Sequence, residues 1–187
     1  MPVMNEMKTL RIYTDGACSG NQNDENIGGW GAILEFGEHK KELYGGEINT
    51  TNNRNGDDGS AGALRAIKKP NCVIEVFSDS SYLISCFKEK WYEKWLKNGW
   101  LTSSKTPVEN RELWEQLLPF LNEHSISFFK VKGHVNLNHP STNVQKHFEK
   151  FRQWNGNQMT YDMFEHATEM NNRADELANI AMDELRR

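Results

Sequence analysis

The stretch Cys72-Val73-Ile74-Glu75-Val76-Phe77-Ser78-Asp79 constrains the fold more than any other part of the chain. It is short and largely apolar, the pattern of a central strand covered on both faces. The segments before and after it follow different rules. Upstream, Lys8 to Asp15 alternates as a strand and Gly16-Ala17-Cys18-Ser19-Gly20-Asn21 is expected to break it. Gly28 to Phe36 resumes extended character, Gly37 to Lys40 reads as a hairpin connection, and Lys41 to Glu47 returns, giving three antiparallel strands. After Asn52-Asn53-Arg54 a helix is expected over Ala61 to Ile67, stopped near Pro70. Downstream, Ser80 to Cys86 begins a helix, and Lys88 to Lys97 precedes the break at Asn98-Gly99. Leu113, Trp114, Leu117 and Leu118 are spaced for an amphipathic helix ending near Pro119. Ser125 to Lys132 is the last strand and Asn172 to Leu185 a closing helix. Hairpins followed by crossover helices describe an α/β chain, a mixed sheet covered by helices.

The 187 residues suit one domain. Between Val135 and Met170 the chain is longer than a usual loop, with helical spacing in Val144 to Trp154 and in Met159 to Met170. Cys18, Cys72 and Cys86 are too few for a disulfide scaffold and lack zinc spacing, so a reducing, cytoplasmic setting is expected. No signal peptide or membrane span is expected, because no run of apolar residues is long enough. The formal charge of -4 excludes a uniformly basic protein but leaves room for a local basic footprint.

Asp15 and Asp79 end two expected strands and Asp175 falls in the opening turns of the closing helix. Gathered at the carboxyl ends of a sheet, three such carboxylates suit Mg2+, a hard cation that takes oxygen ligands. Two such ions can bind the attacking and leaving oxygens of a phosphodiester. The competing reading is local: Asp15 caps a turn, Asp79 caps the helix that follows, and Asp175 favours the positive end of its helix.

The chain resembles a type 1 ribonuclease H in Ile12-Tyr13-Thr14-Asp15-Gly16-Ala17-Cys18-Ser19-Gly20-Asn21, Gly28-Gly29-Trp30-Gly31-Ala32, Thr50-Thr51-Asn52-Asn53-Arg54, Ser78-Asp79-Ser80, Val131-Lys132-Gly133-His134 and Asn171-Asn172-Arg173-Ala174-Asp175. The blocks stand in that family's order across nearly the whole chain. The resemblance implies a ribonuclease H-like fold, a five-stranded mixed sheet with helices on both faces. It also implies Mg2+ dependence, with Mn2+ as a substitute, and hydrolysis of the RNA strand of RNA/DNA hybrids. Asp15, Asp79 and Asp175 correspond to three of the family's four acidic metal ligands, and His134 to a histidine that aids proton transfer or product departure.

The fourth ligand is missing. Gly56 stands where the resemblance places the catalytic Glu, within Asn55-Gly56-Asp57-Asp58-Gly59-Ser60-Ala61-Gly62. Three glycines in an expected helix each cost about 1 kcal/mol against Ala. Two outcomes stay open: Asp57 or Asp58 substitutes for the absent ligand, or the domain grips hybrid and cuts poorly, as an inactive or altered member would.

Lys88, Lys90, Lys94, Lys97 and Lys105 outnumber Glu89 and Glu93 and are interleaved with Trp91, Trp95 and Trp100. Phosphate attraction beside flat aromatic surface suits a duplex backbone, while an ordinary amphipathic helix would turn the same Trp residues into its core. The resemblance identifies residues 88–105 with the family's basic protrusion, where Trp91, Lys94, Trp95 and Lys97 would hold the DNA strand. It also places Cys18, Asn52 and Asn53 near the minor groove, and Asn21 and Thr51 at a DNA phosphate. Tyr44, Trp30, Leu64 and Trp114 are expected in the core. His139, His147 and His166 are expected to be structural or solvent-facing. Phe148, Phe151 and Trp154 share a helix face that packs on the domain or binds a protein partner through residues 135–170; the chain is expected to be a monomer.

Overall fold

A computed structural model describes residues 9–19, 27–48 and 52–186, with only the backbone described at 19 and 52–58. The elements are β1 (Thr9–Ser19), β2 (Ile27–Phe36), β3 (His39–Ile48), α1 (Asn52–Arg65), β4 (Val73–Ser78), α2 (Ser81–Lys88), α3 (Trp91–Asn98), α4 (Arg111–Glu123), β5 (Ser125–Lys130), α5 (Val144–Asn155) and α6 (Tyr161–Arg186). The five strands form one mixed sheet in the order β3-β2-β1-β4-β5. β1, β2 and β3 are antiparallel neighbours, whereas β4 runs parallel to both β1 and β5.

Side-chain alternation divides the interior in two. Leu10, Ile12, Ala32, Leu34, Ile74, Val76 and Phe128 face one way, into a core with Ala61, Ala63, Leu64, Leu83, Phe87, Trp95, Trp114 and Leu117 of α1 to α4. Tyr13, Ile33 and Phe77 face the other way and pack on Phe151 of α5 and on Phe164, Ala167 and Leu177 of α6. Residues 135–170 thus supply much of the second layer. The side chain of Asn155 also closes the edge of the sheet: its amide accepts from the Lys130 N–H at 2.8 Å and donates to the Lys130 carbonyl at 2.7 Å.

Several expectations need correction. β1 continues through Gly16 to Ser19 because Gly16, Ala17, Cys18 and Ser19 keep their ladder with Trp30, Gly29, Gly28 and Ile27. α1 starts nine residues before the expected helix, glycines included. Its Ser60, Ala61, Ala63 and Leu64 are buried, so packing offsets weak intrinsic propensity. Pro119 lies inside α4, whose Leu113, Trp114 and Leu117 are buried. The two helices expected around Asn171-Asn172 are one, the 26-residue α6. Tyr44, expected in the core, is 42% exposed, with its hydroxyl donating to Glu184 at 2.8 Å.

Candidate active site

The parallel pairing of β1 with β4 sets Thr14 beside Ser78, so Asp15 and Asp79 follow side by side where β4 stops and β1 continues. β2 pairs Gly31 with Asp15 from the other side. α6 crosses there so closely that a Cβ at Gly31 would strike the Ala174 carbonyl oxygen, and one at Gly29 the Ala178 carbonyl oxygen. The absence of side chains on β2 therefore lets α6 bring Asp175 to Asp15. None of the local readings of these carboxylates survives. Asp15 lies within β1, Ser80 rather than Asp79 caps α2 by accepting from the Leu83 N–H, and Asp175 sits mid-helix, far from the positive end of α6.

The run Asn171-Asn172-Arg173-Ala174-Asp175 holds this geometry residue by residue. Asn171 donates to the Thr14 carbonyl at 3.3 Å, and Asn172 donates to the Val135 carbonyl at 2.8 Å, fixing the chain just after His134. Arg173 makes a two-pronged contact with Glu42 on β3, at 2.7 and 3.0 Å. Ala174 meets Gly31, which leaves Asp175 directed at the cluster. Gly133 lies against the site as well, since a Cβ there would meet the Asp79 carboxylate, the end of a side chain rather than backbone. Sequence reasoning quoted these residues as motifs but missed their positioning roles; Asn in the middle of a helix, a poor helix former, was the available signal.

Asp15 is 3% exposed. Its Oδ1 accepts the Gly16 N–H at 2.8 Å, and its Oδ2 is buried with no donor among the described residues. Burial first, then the negative charges of Asp79 and Asp175, push its carboxyl far above the usual range. Burial raises Asp79 as well, while its contact with Asp15 and the charge of His134 act in the opposite direction. Asp15 and Asp79 are close enough to share a proton. A buried carboxylate oxygen without a donor, crowded by two further carboxylates, is relieved either by such a proton or by a cation. Ligand atoms of Asp15, His134 and Asp175 lie within 4.8 Å of one another, a grouping compatible with a metal-binding site. His134 stands in a left-handed turn at φ 60°, its side chain 73% exposed and its Nδ1 3.7 Å from Asp175 Oδ2.

The cluster opens into a cleft of about 760 Å³ whose lining includes Ala17, Cys18, Asp79, Tyr82, His134 and Asp175. Cys18, placed near the minor groove by the resemblance, lines the same cleft as Asp79 and Asp175. Asn52 and Asn53 open α1, but their side chains, like those of Gly56, Asp57 and Asp58, lie outside the described residues, as do Asn21 and Thr51 altogether. In the 88–105 segment Lys94 and Lys97 are exposed and Trp91 is half-buried. Trp95, expected among the duplex contacts, is 7% exposed and packs on Trp91, Trp100 and Trp114. His166 bonds Glu35 at 2.8 Å, and His139 accepts from the Ser141 N–H at 3.1 Å within a turn, both structural arrangements.

The RNase H family pattern matches residues 7–183. Ribonuclease H of Clostridium botulinum is 42% identical over 179 residues, covering 96% of this chain and 99% of that protein. Among solved structures, LC9-RNase H1, a type 1 RNase H with the type 2 active-site motif, superposes with a TM-score of 0.66 at 24% identity, over 95% of this chain and 73% of that one. LC11-RNase H1, solved in complex with an RNA/DNA hybrid, gives 0.55 at 18% identity, over 95% and 99%. These two share the fold at low identity; the family match and the full-length relative settle descent, and the chain belongs to the ribonuclease H family.

Proposed function

We propose that the protein hydrolyses the RNA strand of RNA/DNA hybrids with Mg2+, more slowly than a complete four-carboxylate site would. The observation that carries this reading is the buried, donorless Asp15 Oδ2 between Asp79 and Asp175. The donor set is all oxygen from carboxylates, with one imidazole at its rim, which suits a hard divalent cation. Asp15, Asp79 and Asp175 would hold it, with two ions in the substrate complex. Bound there, it supplies an activated water and neutralises the leaving oxygen, giving 5'-phosphate and 3'-hydroxyl products.

The chain's own groups do the rest. Asp15, buried beside Asp79 and within 4.8 Å of an Asp175 ligand atom, would sit at the centre of the cluster. His134, exposed and beside Asp175, would aid proton transfer or product departure. The backbone around Ala17 and Cys18, with Asn52 and Asn53, would lie at the minor groove, where the 2'-hydroxyls of RNA are read. Asn21 and Thr51 would hold a DNA phosphate, and Lys94 and Lys97, with Trp91, the DNA strand. Gly56 offers no side-chain ligand, so the fourth position falls to water, Asp57 or Asp58.

Cleavage of a hybrid labelled on its RNA strand tests this reading directly. We expect RNA-strand cuts with Mg2+ or Mn2+ and none from Asp15→Asn. Hybrid binding without cleavage in either metal would select a noncatalytic hybrid-binding domain instead, and absence of hybrid binding would reject both.

A further inference from the structure

Between residues 130 and 155 the acidic chain reverses its charge: Lys130, Lys132, Lys146, Lys150 and Arg152 stand against one acid, Glu149. The fold concentrates this excess. Lys130 ends β5, Lys132 follows just beyond it, and α5 returns alongside, so that Lys132, Lys150 and Lys146 all bear on His147. Burial first and then these three ammonium groups hold that imidazole below its ordinary pKa. Lys132, Lys146 and Lys150 are exposed. Glu149 is taken up by Gln145 on its own helix, at 3.5 Å.

Lys130 and Lys132 carry this basic surface up to the carboxylates. A second cleft of about 280 Å³ is lined by Asp79, Gly133 and His134 on one side and by Lys130, Lys132 and Trp154 on the other. Asp79 and His134 also line the main cleft. Trp154 is half-buried, and Lys130 Nζ lies 4.6 Å from its ring centre while donating to Ser81 Oγ at 2.6 Å. The lysine and the indole are thereby held in place before any ligand arrives. A row of exposed ammonium groups beside a fixed flat ring is the chemistry that takes a nucleic-acid backbone, with phosphates on the lysines and a sugar or base against the ring.

We propose that α5 and the end of β5 form a second nucleic-acid platform, in which Lys132, Lys146 and Lys150 bind backbone phosphates of the strand as it leaves the carboxylates past His134. Its lysines stand just beyond β5 and on α5, and it abuts the end of α2, whose Lys88 donates to the Trp154 carbonyl at 3.2 Å. The proposal rests on the hybrid-cleaving reading above and gives the same substrate a further grip.

The test is the salt dependence of hybrid binding by the full chain, measured by fluorescence anisotropy without divalent cation. Lys146→Gln/Lys150→Gln should lower the slope of log K against log salt by about 2, and Lys132→Gln, carried outside α5, by about 1. Lys68→Gln/Lys69→Gln makes the same charge change before β4, at the opposite end of the strand from Asp79, and should leave the slope as it is. A wild-type slope in all three variants, or equal falls in the 146/150 pair and the 68/69 control, overturns the platform while leaving the proposed function intact. Failure of the wild-type protein to bind hybrid at low salt removes both.

Discussion

Two glycine-rich regions of this chain obey opposite rules. On β2, Gly29 and Gly31 are forced by the backbone of α6, whose carbonyl oxygens occupy the space of their missing side chains. On α1, a Cβ at Gly59 would meet Trp30 Cβ at 3.5 Å and Thr14 Cβ at 3.6 Å, ordinary contact distances. Gly62 is intermediate, because an added Cβ would lie 2.7 Å from the edge of the Trp30 ring, a side chain able to shift. Glycine on β2 brings Asp175 to Asp15, whereas glycine on α1 lowers helix propensity without any close approach that demands it at 59. A small residue is evidence of function only when something occupies the space it leaves.

Gly31→Ala should break the molecule where the comparison says it must. Overpacking against a backbone oxygen costs about 3 kcal/mol, roughly 6–12 °C in Tm for a chain of this size, and cleavage should fall because Asp175 is displaced. An unchanged Tm would show that α6 can retreat at little cost. Gly56→Glu should raise Mg2+-dependent cleavage at least about tenfold, or 1.4 kcal/mol of barrier; no gain, together with loss of activity in Asp57→Asn/Asp58→Asn, would show the vacancy already filled. Gly59→Ala should stabilise by about 0.5–1 kcal/mol, with Gly62→Ala gaining less because Trp30 must move, as denaturant midpoints would show.

The smallest effect belongs to the layer that α6 builds on β2. Burial pushes Glu35 up, but hydrogen bonds from His166, Tyr13 and Lys40 outweigh it and hold its carboxyl below the usual range. A depressed acid contributes stability that is present above its unfolded pKa of about 4.3 and is lost as pH falls through the lower folded value. The Tm of the wild-type protein should therefore fall more steeply with acidification below that point than that of Glu35→Gln. Parallel curves would assign the acid sensitivity elsewhere.

A mixed sheet of three antiparallel strands followed by crossover strands was legible from the sequence because it depends on alternation and apolar runs; a joint site for Asp15, Asp79 and Asp175 came with the family resemblance, against local capping as the competing reading of the spacing. The length of α6 was not. Asn171 and Asn172 look like a break by propensity, yet their amides are satisfied by the Thr14 and Val135 carbonyls, contacts remote in sequence. The same remoteness hid why Asp175 faces the cleft from mid-helix. Trp95 and Tyr44 exchanged their expected settings for a related reason. Composition alone does not say which side of a three-dimensional layer an aromatic ring will meet, and α4 covers Trp95 through Trp114 while β3 leaves Tyr44 at the surface.

The paired hydrogen bonds between Asn155 and the Lys130 backbone have a consequence for how copies of this protein meet one another. β5 borders the sheet, and an unsatisfied peptide group there would invite an extended segment of a neighbouring molecule to dock. One carboxamide, delivered by a helix, fills that berth first and denies it to intruding chains.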